Sequence, residues 1–106
     1  MNTLIELEKK INSELTTKID NSEIKHNQIY IKINKEDLID VTLFLKTNKS
    51  AKFRQLIDIT AVDYPEATQR FELVYLFLSH EFNQRLILKY HINENEVINS
   101  LTSIFP

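Results

Sequence analysis

The chain has 106 residues, 42% hydrophobic and 26% charged, with 13 basic against 15 acidic side chains for a formal net charge of -2. That length suits one globular domain able to bury a core without metal or disulfide support, and the charge offers no broad attraction to nucleic acid or an anionic membrane. Cysteine and glycine are both absent, which excludes disulfides, cysteine-held zinc or iron-sulfur clusters, and the glycine-rich loops that cradle phosphates.

From Thr3 to about Asp20, Leu4, Leu7, Ile11, Leu15 and Ile19 recur at steps of three and four, so the spacing predicts an amphipathic helix. Thr3 with Glu6 has the form of a capping box at its start. Over Glu23 to Asn34 the period changes to two, with Ile29, Ile31 and Ile33 alternating with Tyr30 and Lys32 after a His26-Asn27-Gln28 break. This predicts a β-hairpin. Asn34 is then expected to cap a second helix, with Asp37 in its first turn and Leu38, Val41 and Leu45 as its buried stripe.

Three strands follow, Leu56 to Val62, Phe71 to Ser79 and Arg85 to Tyr90, all rich in β-branched and aromatic residues. The middle one is apolar on both faces. Phe71, Leu73, Tyr75 and Phe77 alternate with Val74, Leu76 and Leu78, so both faces require cover and the strand is expected at the sheet centre. The Asp63-Tyr64-Pro65-Glu66 run opens a turn that an Asp63 to Arg70 ion pair can close. Val97, Leu101 and Ile104 predict a short final helix before Pro106. Asn21, Asn27, Asn48 and Asn83 are expected to take the sharp connections in place of glycine. The order is α-β-β-α-β-β-β-α: a single α+β domain with a mixed or antiparallel sheet of about five strands and helices packed on it.

Polar clusters do not assemble into chemistry. Asp58 and Asp63 are five residues apart along a strand, an odd separation that points them to opposite faces. Ser79-His80-Glu81 has the residue types of a hydrolytic site, but adjacent side chains diverge and there is no glycine for a nucleophile elbow. His26, His80 and His91 lack partners at metal-ligand spacing, and Phe71, Tyr75 and Phe77 read as core aromatics rather than an RNA-stacking platform. No catalytic, cofactor-binding or metal-binding residues are assigned. No apolar run reaches the roughly 20 residues of a membrane span, and the acidic start fits neither a secretory signal nor a transit peptide. A soluble start is expected.

LIDITAVDYP at Leu56 to Pro65, RFELVYLFLS at Arg70 to Ser79 and NQRLILK at Asn83 to Lys89 together resemble the thirty-kilodalton subunit family of respiratory complex I, the C subunit of bacterial NADH-quinone oxidoreductase. The likeness is carried by residues 53 to 106, whereas residues 1 to 50 are similar only in their order of elements. Family members continue into an aromatic, Glu-Arg-Glu and Asp-rich segment that this sequence does not contain, so the resemblance implies the amino-terminal part of a longer subunit. It further implies a structural subunit of the peripheral arm of a proton-translocating NADH:quinone oxidoreductase, with no cofactor of its own, while flavin mononucleotide and iron-sulfur clusters sit in partner subunits. Its implied partners are the large quinone-proximal subunit and the iron-sulfur subunits, on the cytoplasmic side of the bacterial inner membrane. Asp63, Tyr64, Arg70 and Arg85 are the candidate contact positions. An equivalent subunit of a membrane-bound hydrogenase or ferredoxin-dependent complex, or a stand-alone adaptor using a sheet edge, are the alternatives.

Overall fold

The computed structural model describes residues 3–93, so the expected helix over Val97, Leu101 and Ile104 lies outside the described residues. Helix α1 spans Leu4–Glu14, followed by strands β1 (Asn21–Lys25) and β2 (Gln28–Lys32). A short 3-10 turn, Lys35–Asp37, leads into α2 (Leu38–Thr47), and β3 (Gln55–Asp63), β4 (Phe71–Ser79) and β5 (Gln84–Ile92) complete the order. The α+β class and the five-strand mixed sheet agree with expectation.

Local chemistry explains most boundaries. The Thr3 hydroxyl accepts the Glu6 N–H at 3.1 Å, which fixes the start of α1. The helix is shorter than its periodicity suggests, since Leu15 already leaves helical geometry. Ile19 nevertheless packs on the core, because the turn after the helix returns it to the same side. Asn34 stands before the 3-10 turn but makes no side-chain cap bond, and Asp37 precedes α2 rather than lying in its first turn. The sharp connections also differ from the expected set of asparagines. Positive φ occurs at His26, Asn27, Lys52 and Asn83, whereas Asn21 opens β1 and Asn48 ends α2 at φ -66. Asn48 works instead through its side chain, which accepts the Ser50 N–H at 2.9 Å.

The sheet runs β1-β2-β5-β4-β3. Only β2 and β5 are parallel; the other neighbours are antiparallel. β5 therefore holds the middle position expected of β4, which lies one place nearer the edge. The reason is topological: the β3–β4 hairpin is a local pairing that keeps β3 outside, and β5 closes the gap between that hairpin and the first one.

Register sorts the side chains onto two faces. Ile29 and Ile31 of β2, Leu73, Tyr75 and Phe77 of β4, and Leu86, Leu88 and Tyr90 of β5 share one face and form one core with Leu7, Ile11 and Leu15 of α1 and Leu38, Val41 and Leu45 of α2. Both helices thus cover the same side. On the other side Val74, Leu76 and Leu78 are half-buried, and among the described residues no helix lies over them. The double cover expected for β4 is present on one face only.

Candidate functional site: a hairpin tip and an open sheet face

The β3–β4 hairpin tip is built by its ion pair. Arg70 donates from Nε to Asp63 Oδ1 at 2.7 Å and from Nη2 to Asp63 Oδ2 at 2.9 Å, the two-pronged geometry a guanidinium makes with a carboxylate. The backbone tightens the same point, with Tyr64 N–H donating to the Arg70 carbonyl at 2.7 Å. Hydrogen bonding from Arg70 holds the Asp63 carboxyl below its ordinary range, and the partial loss of water opposes that only in part. The guanidinium also lies 5.4 Å from the Phe71 ring centre. Tyr64 is left 46% exposed beside this clamp, an aromatic side chain presented to solvent by a rigid turn.

Arg85 does not belong to this tip. It pairs with Leu78 at the far end of β4, whereas Asp63 pairs with Phe71. Seven residues of strand put the two places about 23 Å apart. Three of the four candidate contact residues therefore form one cluster, and the fourth marks the opposite end of the sheet.

The other polar groups disperse. Asp58 pairs with Leu76 and Asp63 with Phe71, so the two carboxylates occupy opposite faces as their spacing requires. Ser79 is buried and its hydroxyl accepts the Phe82 N–H at 3.4 Å, His80 bonds the Gln55 side chain, and Glu81 pairs with Lys52 at 2.8 Å. Three consecutive residues with three separate partners cannot act as a triad. His91 faces Glu72 at 3.3 Å, and among the described residues no three His, Asp or Glu side chains converge as metal ligands would. Tyr75 and Tyr90 meet hydroxyl to hydroxyl at 2.7 Å in the core. Burial raises both phenols, and the bond they share partly offsets this for Tyr75 while adding to it for Tyr90. With Phe77, these aromatics face the helices and cannot stack bases.

A further cluster, not legible from the sequence, lies on the open face. Lys25 and Lys89 each place an ammonium 5.7 Å from the Tyr30 ring centre, and Lys32 stands directly beside Lys89 across the parallel β2–β5 pair. Tyr30 and Lys32 visibly alternate with isoleucines, but nothing local announces the parallel pairing that joins Lys32 to Lys89.

The described residues form a mixed five-stranded sheet with α1 and α2 packed on one side. The chain belongs to the family described as respiratory-chain NADH dehydrogenase, 30 Kd subunit, whose sequence profile matches residues 31–106. It is 40% identical over 85 residues to the C subunit of the NADH-quinone oxidoreductase of Dinoroseobacter shibae, covering 80% of this chain and 40% of that protein. Over all 106 residues it is 32% identical to the corresponding C subunit of Rhodopseudomonas palustris, covering 53% of that protein. The Mesorhizobium japonicum C subunit is 30% identical across 98% of this chain and 52% of its own length. The chain spans about half the length of the relatives it matches. Among solved structures, a chain of the membrane-bound sulfane sulfur reductase, an archaeal respiratory membrane complex, superposes with a TM-score of 0.82 over 96% of this chain and 59% of that one. At 20% identity that likeness is one of fold.

Proposed function

We propose that this chain is a structural subunit of the peripheral arm of a proton-translocating NADH:quinone oxidoreductase, holding redox subunits together while carrying no cofactor and catalysing no step. The observation that carries the reading is the family match over residues 31–106 combined with NADH-quinone oxidoreductase relatives aligned across as much as the whole chain. The absence of cysteine and glycine supports it, since neither a cluster nor a nucleotide loop can be built from this sequence. The chain contributes one α+β domain, and it spans about half the length of the relatives it matches. Flavin mononucleotide and iron-sulfur clusters reside in partner subunits. The partners are the large quinone-proximal subunit and its iron-sulfur neighbours, and the assembly lies on the cytoplasmic side of the bacterial inner membrane. No helix among the described residues is long and apolar enough to cross a membrane, in keeping with attachment through the complex.

Asp63, Tyr64 and Arg70 form one contact point and Arg85 a second, because exposed polar residues on fixed turns and strand ends suit protein contacts. The names of the relatives, each a part of an NADH-quinone oxidoreductase, favour the NADH-linked complex over a hydrogenase-linked or ferredoxin-dependent one, and over a lone adaptor. The test is affinity purification of the tagged full-length subunit from its native membranes. Recovery with the other peripheral-arm subunits and NADH:quinone activity supports the reading. Recovery with hydrogenase subunits moves it to the alternative, and recovery alone removes it.

A further inference from the structure

We propose that the sheet face opposite the helices is a docking surface for a carboxylate-bearing, partly apolar segment of a neighbouring protein subunit, centred on Lys32 and Lys89. The inference rests on the subunit role proposed above and names the surface that role uses. Three observations carry it.

The first is a charge arrangement left uncompensated among the described residues. Lys32 and Lys89 are directly opposite on adjacent strands, which lie about 4.8 Å apart, and like charges so placed repel. No carboxylate among the described residues forms an ion pair with either. Glu72, the nearest acidic group on β4, is engaged with His91 at 3.3 Å, and Glu23 on β1 faces Tyr30 without pairing to a lysine. Lys25 adds a third ammonium beside the Tyr30 ring. An incoming carboxylate between Lys32 and Lys89 removes the repulsion and gains two charge-assisted hydrogen bonds.

The second is shape. These lysines and Tyr30, together with Glu23 and the Glu72–His91 pair, line an open depression of about 240 Å³ on the sheet surface. The third is the apolar stripe next to it. Val74 is the cross-strand neighbour of Lys89, and Leu76 and Leu78 continue along β4, all half-buried. On the helix side the same strand buries its alternate residues, Leu73, Tyr75 and Phe77. The half-buried apolar stripe and the lysine pair at its end together fit a segment with apolar side chains along one edge and an acidic residue at one end. A lipid surface suits this face less well, since the chain's formal charge is -2 and Val74, Leu76 and Leu78 are already half-buried, leaving little apolar surface to insert.

The experiment introduces Lys32→Glu into the tagged full-length subunit in its native membranes. Recovery of the neighbouring subunits is expected to fall about tenfold. Lys32→Gln should give a smaller loss, while Lys9→Glu on the exposed face of α1, the same change of charge, should give none. The isolated Lys32→Glu protein should melt no lower than wild type, because the new carboxylate faces Lys89. A merely structural lysine would not weaken assembly while leaving stability intact. Wild-type recovery with Lys32→Glu overturns the proposal; if that variant fails to fold, full recovery with Lys32→Gln overturns it equally. A dimer of the free protein, or binding to phosphatidylglycerol vesicles, that Lys32→Glu abolishes while assembly persists assigns the face to a second copy or to lipid, and also overturns it. If the wild-type protein recovers no partner, the subunit role itself has failed and the surface falls with it.

Discussion

Leu73 and Leu76 stand three residues apart on β4 and belong to different environments. Leu73 lies under the helices and is 4% exposed, whereas Leu76 faces the uncovered side, half-buried beside Ile87. The same strand thus contributes to a finished core on one side and to an unfinished surface on the other. In a water-facing antiparallel sheet, the outer positions are ordinarily polar. Here Val74, Leu76 and Leu78 remain apolar, and beyond Val74 Lys89 stands beside Lys32, with no carboxylate among the described residues ion-paired to either. The difference separates what folds the chain from what the chain offers to another protein.

The largest expected effects test the covered side. Leu73→Ala should cost about 3 kcal/mol in urea denaturation, and Leu76→Ala no more than about half of that, since only the first leaves an enclosed cavity. Equal losses would mean that the open face is packed in the isolated protein and would remove the contrast. Next comes the tyrosine pair. Tyr90→Phe should cost about 1–3 kcal/mol by leaving the Tyr75 hydroxyl buried without its partner, while Tyr75→Phe with Tyr90→Phe should cost less than either change alone. The double-mutant cycle reads that coupling directly.

Smaller effects test the open side and the hairpin tip. Lys32→Glu in the isolated protein should raise stability by a few tenths of a kcal/mol, opposite in sign to its effect on assembly. At the tip, Arg70 lowers the folded-state pKa of Asp63 from its ordinary value of 3.8. The pair therefore contributes stability above that value and loses it as pH falls through the lower folded one. Thermal melts between about pH 5 and pH 2 should show a steeper acid loss in wild type than in Asp63→Asn, by at most a few degrees for so exposed a pair. Parallel curves would show that the bidentate contact is not kept in solution.

Periodicity is a good guide to which residues share a face and a poor one to which strands are neighbours. The buried stripe Leu38, Val41 and Leu45, the alternation along β4 and the Asp63 to Arg70 closure can all be read locally, because each depends on residues within one element or one turn. The parallel β2–β5 pair joins residues more than fifty positions apart, so neither the central place of β5 nor the meeting of Lys32 with Lys89 is legible. Arg85 groups with the hairpin residues in sequence because it follows them along the chain; the antiparallel return of β5 carries it to the opposite end. The expectation of asparagine at sharp connections fails at Lys52, where a residue of another type takes positive φ, because the backbone is tied into its turn by the Lys52 N–H to Asn48 carbonyl bond at 3.1 Å.

The contrast between the two faces is tested most directly by lysine footprinting of the full-length subunit, free and within the purified complex, using an amine-reactive acetylating reagent. Lys32 and Lys89 on the open face should lose reactivity on assembly, while Lys9 on α1 and Lys49 after α2 keep theirs. Protection of Lys9 and Lys49 with Lys32 and Lys89 still reactive would place the partner on the helix side and contradict the account.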